Sequence, residues 1–211
     1  MPEANKQNLV NLLSQYDIPL IEDDVYGELY FGKHYPAPLK TYDKKGLVIH
    51  CSSFSKTLAP TYRVGWTLAG RYYEKIRRAK LMTTLSTALP VQMALADYLN
   101  RGSYDKHLRQ LRQLLEDQQR QMAASIAEHF PTGTKVSRPQ GGYFLWVEFP
   151  SGVDALSLYK LALERDILIA PGPIFSVNGD YQHCIRLNYG QPMGRVAEAV
   201  KVIGELARGL L

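Results

Sequence analysis

The densest concentration of reactive groups in the chain is Ser53-Phe54-Ser55-Lys56, with Arg63 seven positions on. It sets an amine among two hydroxyls and a guanidinium, just past the apolar run Leu47-Val48-Ile49-His50-Cys51. Lysine condenses with a carbonyl to form a Schiff base, and an amine held near cations and partly desolvated is brought into a reactive range. Hydroxyls and an arginine fork hold a phosphate through charge-assisted hydrogen bonds. The cluster suits a phosphorylated aldehyde. The competing reading of the same string is a surface turn rich in serine and lysine.

A second cluster, Asp23-Asp24-Val25-Tyr26, closes the apolar run Ile18-Pro19-Leu20-Ile21. An aspartate at a strand end with a tyrosine three positions later can hold a protonated ring nitrogen and a phenolic oxygen, the two demands that pyridoxal phosphate makes of its pocket. The aspartate keeps the pyridinium charged, so that the ring accepts electrons from a substrate Cα. Glu22, Asp23 and Asp24 can alternatively take a divalent metal, but they lack the alternating oxygen-ligand spacing of calcium loops, and no metal is expected. Arg186 stands in the apolar strand Ile185-Arg186-Leu187, where it needs an anionic partner, either a structural salt bridge or a substrate carboxylate. Gly141-Gly142 reads as a tight turn into a core strand and Pro171-Gly172-Pro173 as a rigid turn, while the five histidines show no ligand spacing and receive no role.

The elements that must position these groups follow from periodicity. Leu9, Leu12, Leu13 and Tyr16 recur at helical spacing and lead into the strand that ends at the aspartates. The run before the Ser-Lys cluster and a third run at 64–69 read as further strands buried on both faces, in an α/β sheet whose ligand sites lie beyond the strand ends. Helices are expected at 72–84, 90–99 and 104–130. The last carries an apolar stripe of Leu108, Leu111, Leu115, Met122 and Ile126, with Arg112, Glu116 and Arg120 paired at i,i+4 on its polar side. Strand-like 143–149, helix-like 154–165, the short run 167–170, strand-like 184–189 and a helix from about Pro192 form a β-α-β-like unit. The expected domains are 1–104, part of a larger sheet, and 105–211, a small α+β domain with a bridging helix.

Composition narrows the class. With 211 residues, 45% hydrophobic content and 21% charged residues, the chain can bury one core or two, and disorder is excluded. The two cysteines, Cys51 and Cys184, lack partners at zinc spacing and read as free thiols of a reducing cytoplasm. No apolar stretch approaches a membrane span. The net charge of +5 allows an anionic ligand or nucleic acid, but the basic runs 75–80 and 106–112 fall in helical patterns and read as solvated faces. The opening helix feeds a buried strand without a preceding parallel neighbour, so the chain is expected to begin in the middle of a βαβ array.

Taken together, these strings resemble the fold-type I pyridoxal-phosphate enzymes of the class I aminotransferase family. The carriers are Asp-x-x-Tyr of Asp23 and Tyr26, Ser-x-Ser-Lys of Ser53 to Lys56, Arg-Val-Gly-Trp from Arg63, and Arg-Leu-Asn from Arg186. The resemblance implies that Lys56 carries the cofactor as an aldimine and acts as general acid and base. It further implies Asp23 on the pyridine nitrogen, Tyr26 on the ring oxygen, Ser53, Ser55 and Arg63 on the phosphate, and Arg186 on a substrate α-carboxylate.

Finer strings are similar to the MocR-type GntR regulators: Ser55 to Pro60, Tyr104-Asp105-Lys106-His107-Leu108-Arg109, Pro139 to Tyr143, and Ala170 to Ser176. In that group an aminotransferase-like, effector-sensing domain follows an N-terminal winged helix-turn-helix. Thr61-Tyr62 depart from the family's usual glycine and small apolar residue. The resemblance implies a cytoplasmic homodimer that binds an amino acid, amine or keto acid, with DNA contacted only by an upstream domain and no membrane contact. It also implies that a helix N-terminus for the phosphate, a ring-stacking aromatic and an asparagine lie upstream of Met1, so that this chain alone binds cofactor weakly or not at all. The competing functions are a metabolic aminotransferase and a plain α/β interaction domain with relic residues.

Overall fold

The computed structural model describes residues 1–211, apart from the side chain of Arg195. The chain divides into two compact units, Met1–Leu111 and Arg112–Leu211.

The first unit opens with α1 (Glu3–Gln15), which ends before Pro19 in a turn where Asp17 takes a positive φ of 57°. Its sheet has the order β1-β2-β3: β1 (Leu20–Asp23) runs parallel to β2 (Val48–Ser53), and β3 (Gly65–Leu68) runs antiparallel to β2. The parallel register pairs Asp23 with Cys51, so the aspartates and the Ser-Lys cluster leave the sheet at the same end. A carboxylate fixes the start of β2. Asp43 accepts from the backbone N–H groups of Leu47 (3.0 Å) and Val48 (2.9 Å) and from the Lys40 ammonium (2.8 Å). Glu22 does the same for the 3-10 turn Leu39–Tyr42, accepting from Leu39 N–H at 2.6 Å and Lys40 N–H at 3.0 Å.

The strands are not buried on both faces, contrary to the expectation from their apolar runs. Val48 and His50 are buried on one face of β2, but β3 is exposed along its length and Ile21 of β1 is 71% exposed. Apolar content alone does not bury a strand: burial also needs another element packed against each face. The helices α2 (Tyr73–Thr84) and α3 (Leu89–Asn100, with Pro90 in its first turn) follow. The long helix α4 spans Ser103–His129, with Leu108, Leu115, Met122 and Ile126 buried along one stripe. On its polar side Arg120 pairs with Asp117 rather than with Glu116, since i,i+3 and i,i+4 partners are both within reach.

The second unit holds the sheet β4-β5-β7-β6, formed by β4 (Lys135–Val136), β5 (Phe144–Glu148), β6 (Ala170–Pro171) and β7 (Cys184–Asn188), every adjacent pair antiparallel. Because β5 and β6 each oppose β7, they point the same way with β7 between them. The β-α-β pattern of the sequence is therefore a split unit, joined through α5 (Ala155–Leu163). Asp154 caps α5 by accepting from Ser157 N–H at 2.7 Å, and α6 (Met193–Arg208) begins after Pro192. Leu145, Val147, Ile185 and Leu187 alternate toward a core that also buries Ala155, Leu158, Val200 and Ile203. Gly172 lies where a Cβ would meet the carbonyl oxygens of Tyr181 and Cys184, so only glycine fits that close passage.

Candidate functional site

In the first unit the parallel register of β1 and β2 gathers both reactive strings at one sheet edge. Beyond β1, Asp24 is bound to β2 twice through its backbone: its N–H donates to the Cys51 carbonyl at 2.8 Å, and its carbonyl accepts from Ser52 Oγ at 3.1 Å. This fixes the segment between Asp23 and Tyr26. The Asp23 carboxylate is exposed, with Oδ1 accepting from Val25 N–H at 3.4 Å. Tyr26 closes on Lys56, whose Nζ lies 5.6 Å from the centre of the phenol ring.

Past β2, Ser53 Oγ accepts from Ser55 N–H at 3.3 Å, folding the chain into a turn that displays Lys56 to solvent. Arg63 returns to that turn: it adopts the left-handed conformation (φ 51°) after the 3-10 turn Pro60–Tyr62, and its Nη1 reaches Ser55 Oγ at 3.5 Å and the Pro60 carbonyl at 3.3 Å. Thr61 and Tyr62 thus form the short helical turn that delivers Arg63 to Ser55. An amine, two hydroxyls, a guanidinium, a carboxylate and a phenol converge on one edge. This donor set matches the demands of a phosphorylated pyridine aldehyde: a nucleophile, a phosphate cradle and a partner for a ring N–H.

One group of residues was not anticipated. His50, buried on β2, donates from Nδ1 to Glu22 Oε2 at 3.1 Å, and its Nε2 lies 3.9 Å from Asp24 Oδ2. Tyr35 donates to the same Asp24 oxygen at 3.2 Å. Burial pushes the Asp24 carboxyl above its ordinary value, opposed by His50 and by the bond from Tyr35. Burial and the neighbouring Asp24 carboxylate push the Tyr35 phenol up strongly. A Cβ on Gly27 would fall on the Asp24 carboxylate, so this network also requires that glycine. The usable signal was the pairing of Glu22 and His50 on neighbouring strands. Among the described residues no group of three metal-ligating side chains forms, and the Glu22 oxygens already accept three hydrogen bonds.

In the second unit Arg186 does not form the structural salt bridge, one of the two partners its strand position called for. No carboxylate among the described residues pairs with it. The guanidinium instead lies 4.2 Å from the Phe144 ring centre and 4.6 Å from that of Phe175. The two aromatic rings attract the cation where no salt bridge forms. A cavity of about 690 Å³ opens beside it, lined by Phe144, Leu168, Ile169, Ile174 and Asn188 among others. Such a cleft suits a carboxylate attached to an apolar body.

Comparison with known proteins adds the following. A family model described as aminotransferase class I and II matches residues 1–203. The uncharacterized HTH-type transcriptional regulator YdcR of Escherichia coli is 46% identical over 202 residues, covering 95% of this chain and 43% of its own length. Aromatic-amino-acid aminotransferase 1 of Thermococcus litoralis is 32% identical over 207 residues, covering 97% of this chain and 50% of its own. The crystal structure of LysN, α-aminoadipate aminotransferase from Thermus thermophilus, complexed with N-(5'-phosphopyridoxyl)-L-leucine, superposes with a TM-score of 0.91 at 30% identity, over 99% of this chain and 55% of that one. The chain therefore spans about half of the length of the proteins it matches.

Proposed function

Since the chain belongs to the class I and II aminotransferase family and has its α/β fold, we propose that it is the C-terminal part of a pyridoxal-phosphate-binding, aminotransferase-like domain. In the whole protein this domain senses an effector for a MocR/GntR-type transcriptional regulator. The observation that carries the first part is the convergence of Lys56, Tyr26, Ser55 and Arg63 beyond the ends of β1 and β2. The regulator reading is supported by the identity to YdcR, which exceeds that to the Thermococcus aminotransferase. Residues 1–104 are the PLP-binding part of the large domain and 105–211 the small domain.

Bound pyridoxal phosphate supplies an aldehyde for the lysine and a ring that draws electrons from an amino compound. The chain's own side chains do the rest. Lys56 would hold the cofactor through its Nζ amine, and the same nitrogen would accept and return a proton. The Asp23 carboxylate would accept the ring N–H, and the Tyr26 hydroxyl would donate to the ring oxygen. Ser53, Ser55 and Arg63 hold the phosphate, Arg63 through its planar fork. Arg186, packed against the rings of Phe144 and Phe175, would bind the carboxylate of an amino acid or keto acid. The whole protein is a cytoplasmic homodimer, and DNA contact belongs to an upstream domain.

A metabolic aminotransferase is the second reading, supported by the Thermococcus relative and by LysN. Titration of the whole protein with pyridoxal phosphate, followed by its near-visible absorbance, tests the shared site: Lys56→Ala abolishes the band, and a band retained in the variant removes the lysine assignment. Steady-state turnover with an amino acid and a 2-oxo acid separates the two readings. The regulator yields at most slow half-reactions and shifts its operator affinity with ligand, whereas rapid sustained turnover without DNA binding establishes the enzyme.

A further inference from the structure

The string Tyr104-Asp105-Lys106-His107 has no part in the function proposed above, yet two of its side chains reach the residue that follows Lys56. α4 begins at Ser103, and the i,i+3 spacing of Tyr104 and His107 sets both on one side of its first turn. The Tyr104 hydroxyl donates to Thr57 Oγ1 at 3.0 Å, and His107 Nε2 lies 2.7 Å from the Thr57 carbonyl oxygen. A carbonyl only accepts, so Nε2 carries a proton and donates.

Aromatic packing supports the same place. The Tyr104 ring meets Phe54 edge-on at 5.8 Å, and Phe54 packs on Trp66 at 4.9 Å. The Phe54 carbonyl in turn accepts from Leu58 N–H at 2.9 Å and Ala59 N–H at 3.2 Å, closing the turn that displays Lys56. The contrast within this turn is sharp: Lys56 is exposed, while Thr57 is 3% exposed and bound at both its hydroxyl and its carbonyl. A lysine amine sits on a flexible four-carbon stem, so its reach is defined only if its Cα is fixed.

We propose that Tyr104 and His107 are positioning residues for Lys56, acting through Thr57 to fix the backbone from which the amine reaches the cofactor carbonyl. This rests on the reading of Lys56 as the cofactor lysine. Neither side chain touches the reacting atoms; their role is to narrow the positions of the amine, and small misplacements of such a group are costly to rate.

The test compares the whole wild-type protein with its Tyr104→Phe, His107→Leu and His107→Gln variants. Two quantities are read: hydrogen exchange at the Leu58 and Ala59 amides, and the rate at which pyridoxal phosphate is captured on Lys56 under borohydride, mapped by peptide mass against the other lysines. Loss of one hydrogen bond at a buried residue predicts exchange about tenfold faster and capture at Lys56 about tenfold slower in Tyr104→Phe and His107→Leu, with labelling elsewhere unchanged. The glutamine amide donates as Nε2 does, so His107→Gln restores both. Tyr104→Phe keeps the ring on Phe54 and removes one oxygen, so it remains informative if His107→Leu does not fold.

Unchanged exchange overturns the proposal, as does faster exchange with unchanged capture, which makes the contact structural only. Wild-type capture at Lys56 no greater than at other lysines overturns the functional reading itself, an outcome visible before any variant is compared.

Discussion

Replacing Asp43 tests whether the start of β2, and with it the delivery of Ser53 and Lys56, depends on a single carboxylate. Asp43 accepts from Leu47 N–H, Val48 N–H, Lys45 N–H and the Lys40 ammonium, and its side chain is fully shielded from solvent. In Asp43→Ala, Lys45 is exposed and its N–H finds water, and Lys40 keeps its bond to the Val48 carbonyl at 2.7 Å. Leu47 and Val48, each 1% exposed, have no such recourse. Two stranded buried donors at roughly 1–1.5 kcal/mol each, with the lost charge pair, come to about 3 kcal/mol.

Urea unfolding followed by Trp66 fluorescence in a Trp146→Phe background reports on the first unit. With a slope of about 2 kcal/mol/M, the midpoint falls by about 1.5 M. The pH dependence has a defined sign. Despite its burial, the bonds from Lys40, Val48 and Leu47 hold the Asp43 carboxyl below its ordinary value of 3.8. Its contribution is therefore present above that value and lost as pH falls through the lower, folded one. Asp43→Ala should flatten this part of the acid limb. A midpoint within about 0.3 M of wild type, or an unchanged acid limb, would refute the reasoning.

Two further substitutions probe the second unit. Gly172→Ala places a Cβ against the Tyr181 and Cys184 carbonyls, and the backbone shift it forces should cost about 2 kcal/mol, read as a lower urea midpoint by Trp146 fluorescence; an unchanged midpoint means the passage is not tight. Arg186→Leu loses two cation–ring contacts but buries an apolar side chain, so stability should change by less than about 1 kcal/mol while affinity for a carboxylate ligand falls by about 30- to 150-fold in calorimetric titration of the whole protein. Equal affinity in wild type and variant would remove Arg186 from the ligand site.

Much of this was legible in the sequence because strand ends and chemistry coincide in it. Short apolar runs broken by Asp23-Asp24 and by Ser52-Ser53 announced two strands with polar termini, and the helical stripe of α4 was visible in its leucines. Pairing was less accessible. The antiparallel turn of β3 back onto β2, and the placing of β7 between β5 and β6, depend on contacts between distant residues that no local period encodes. Burial of both sheet faces was misread for the same reason, since apolar content says what a strand can bury and not what lies against it. Arg186 shows a related limit: of the two anionic partners open to it, the structural salt bridge is not formed, and the Phe144 and Phe175 rings beside it were not read from the sequence. His50 and His107 carried no ligand spacing because their partners are a neighbouring strand's carboxylate and a backbone carbonyl.

The central claim is that Lys56 is the lysine that captures the cofactor aldehyde. Its most direct test is a structure of the whole protein crystallised with pyridoxal phosphate. The account predicts density continuous from Lys56 Nζ to the cofactor, with the phosphate on Ser55 and Arg63 and the ring nitrogen on Asp23. Cofactor joined to another lysine, or a phosphate bound away from Arg63, would contradict it.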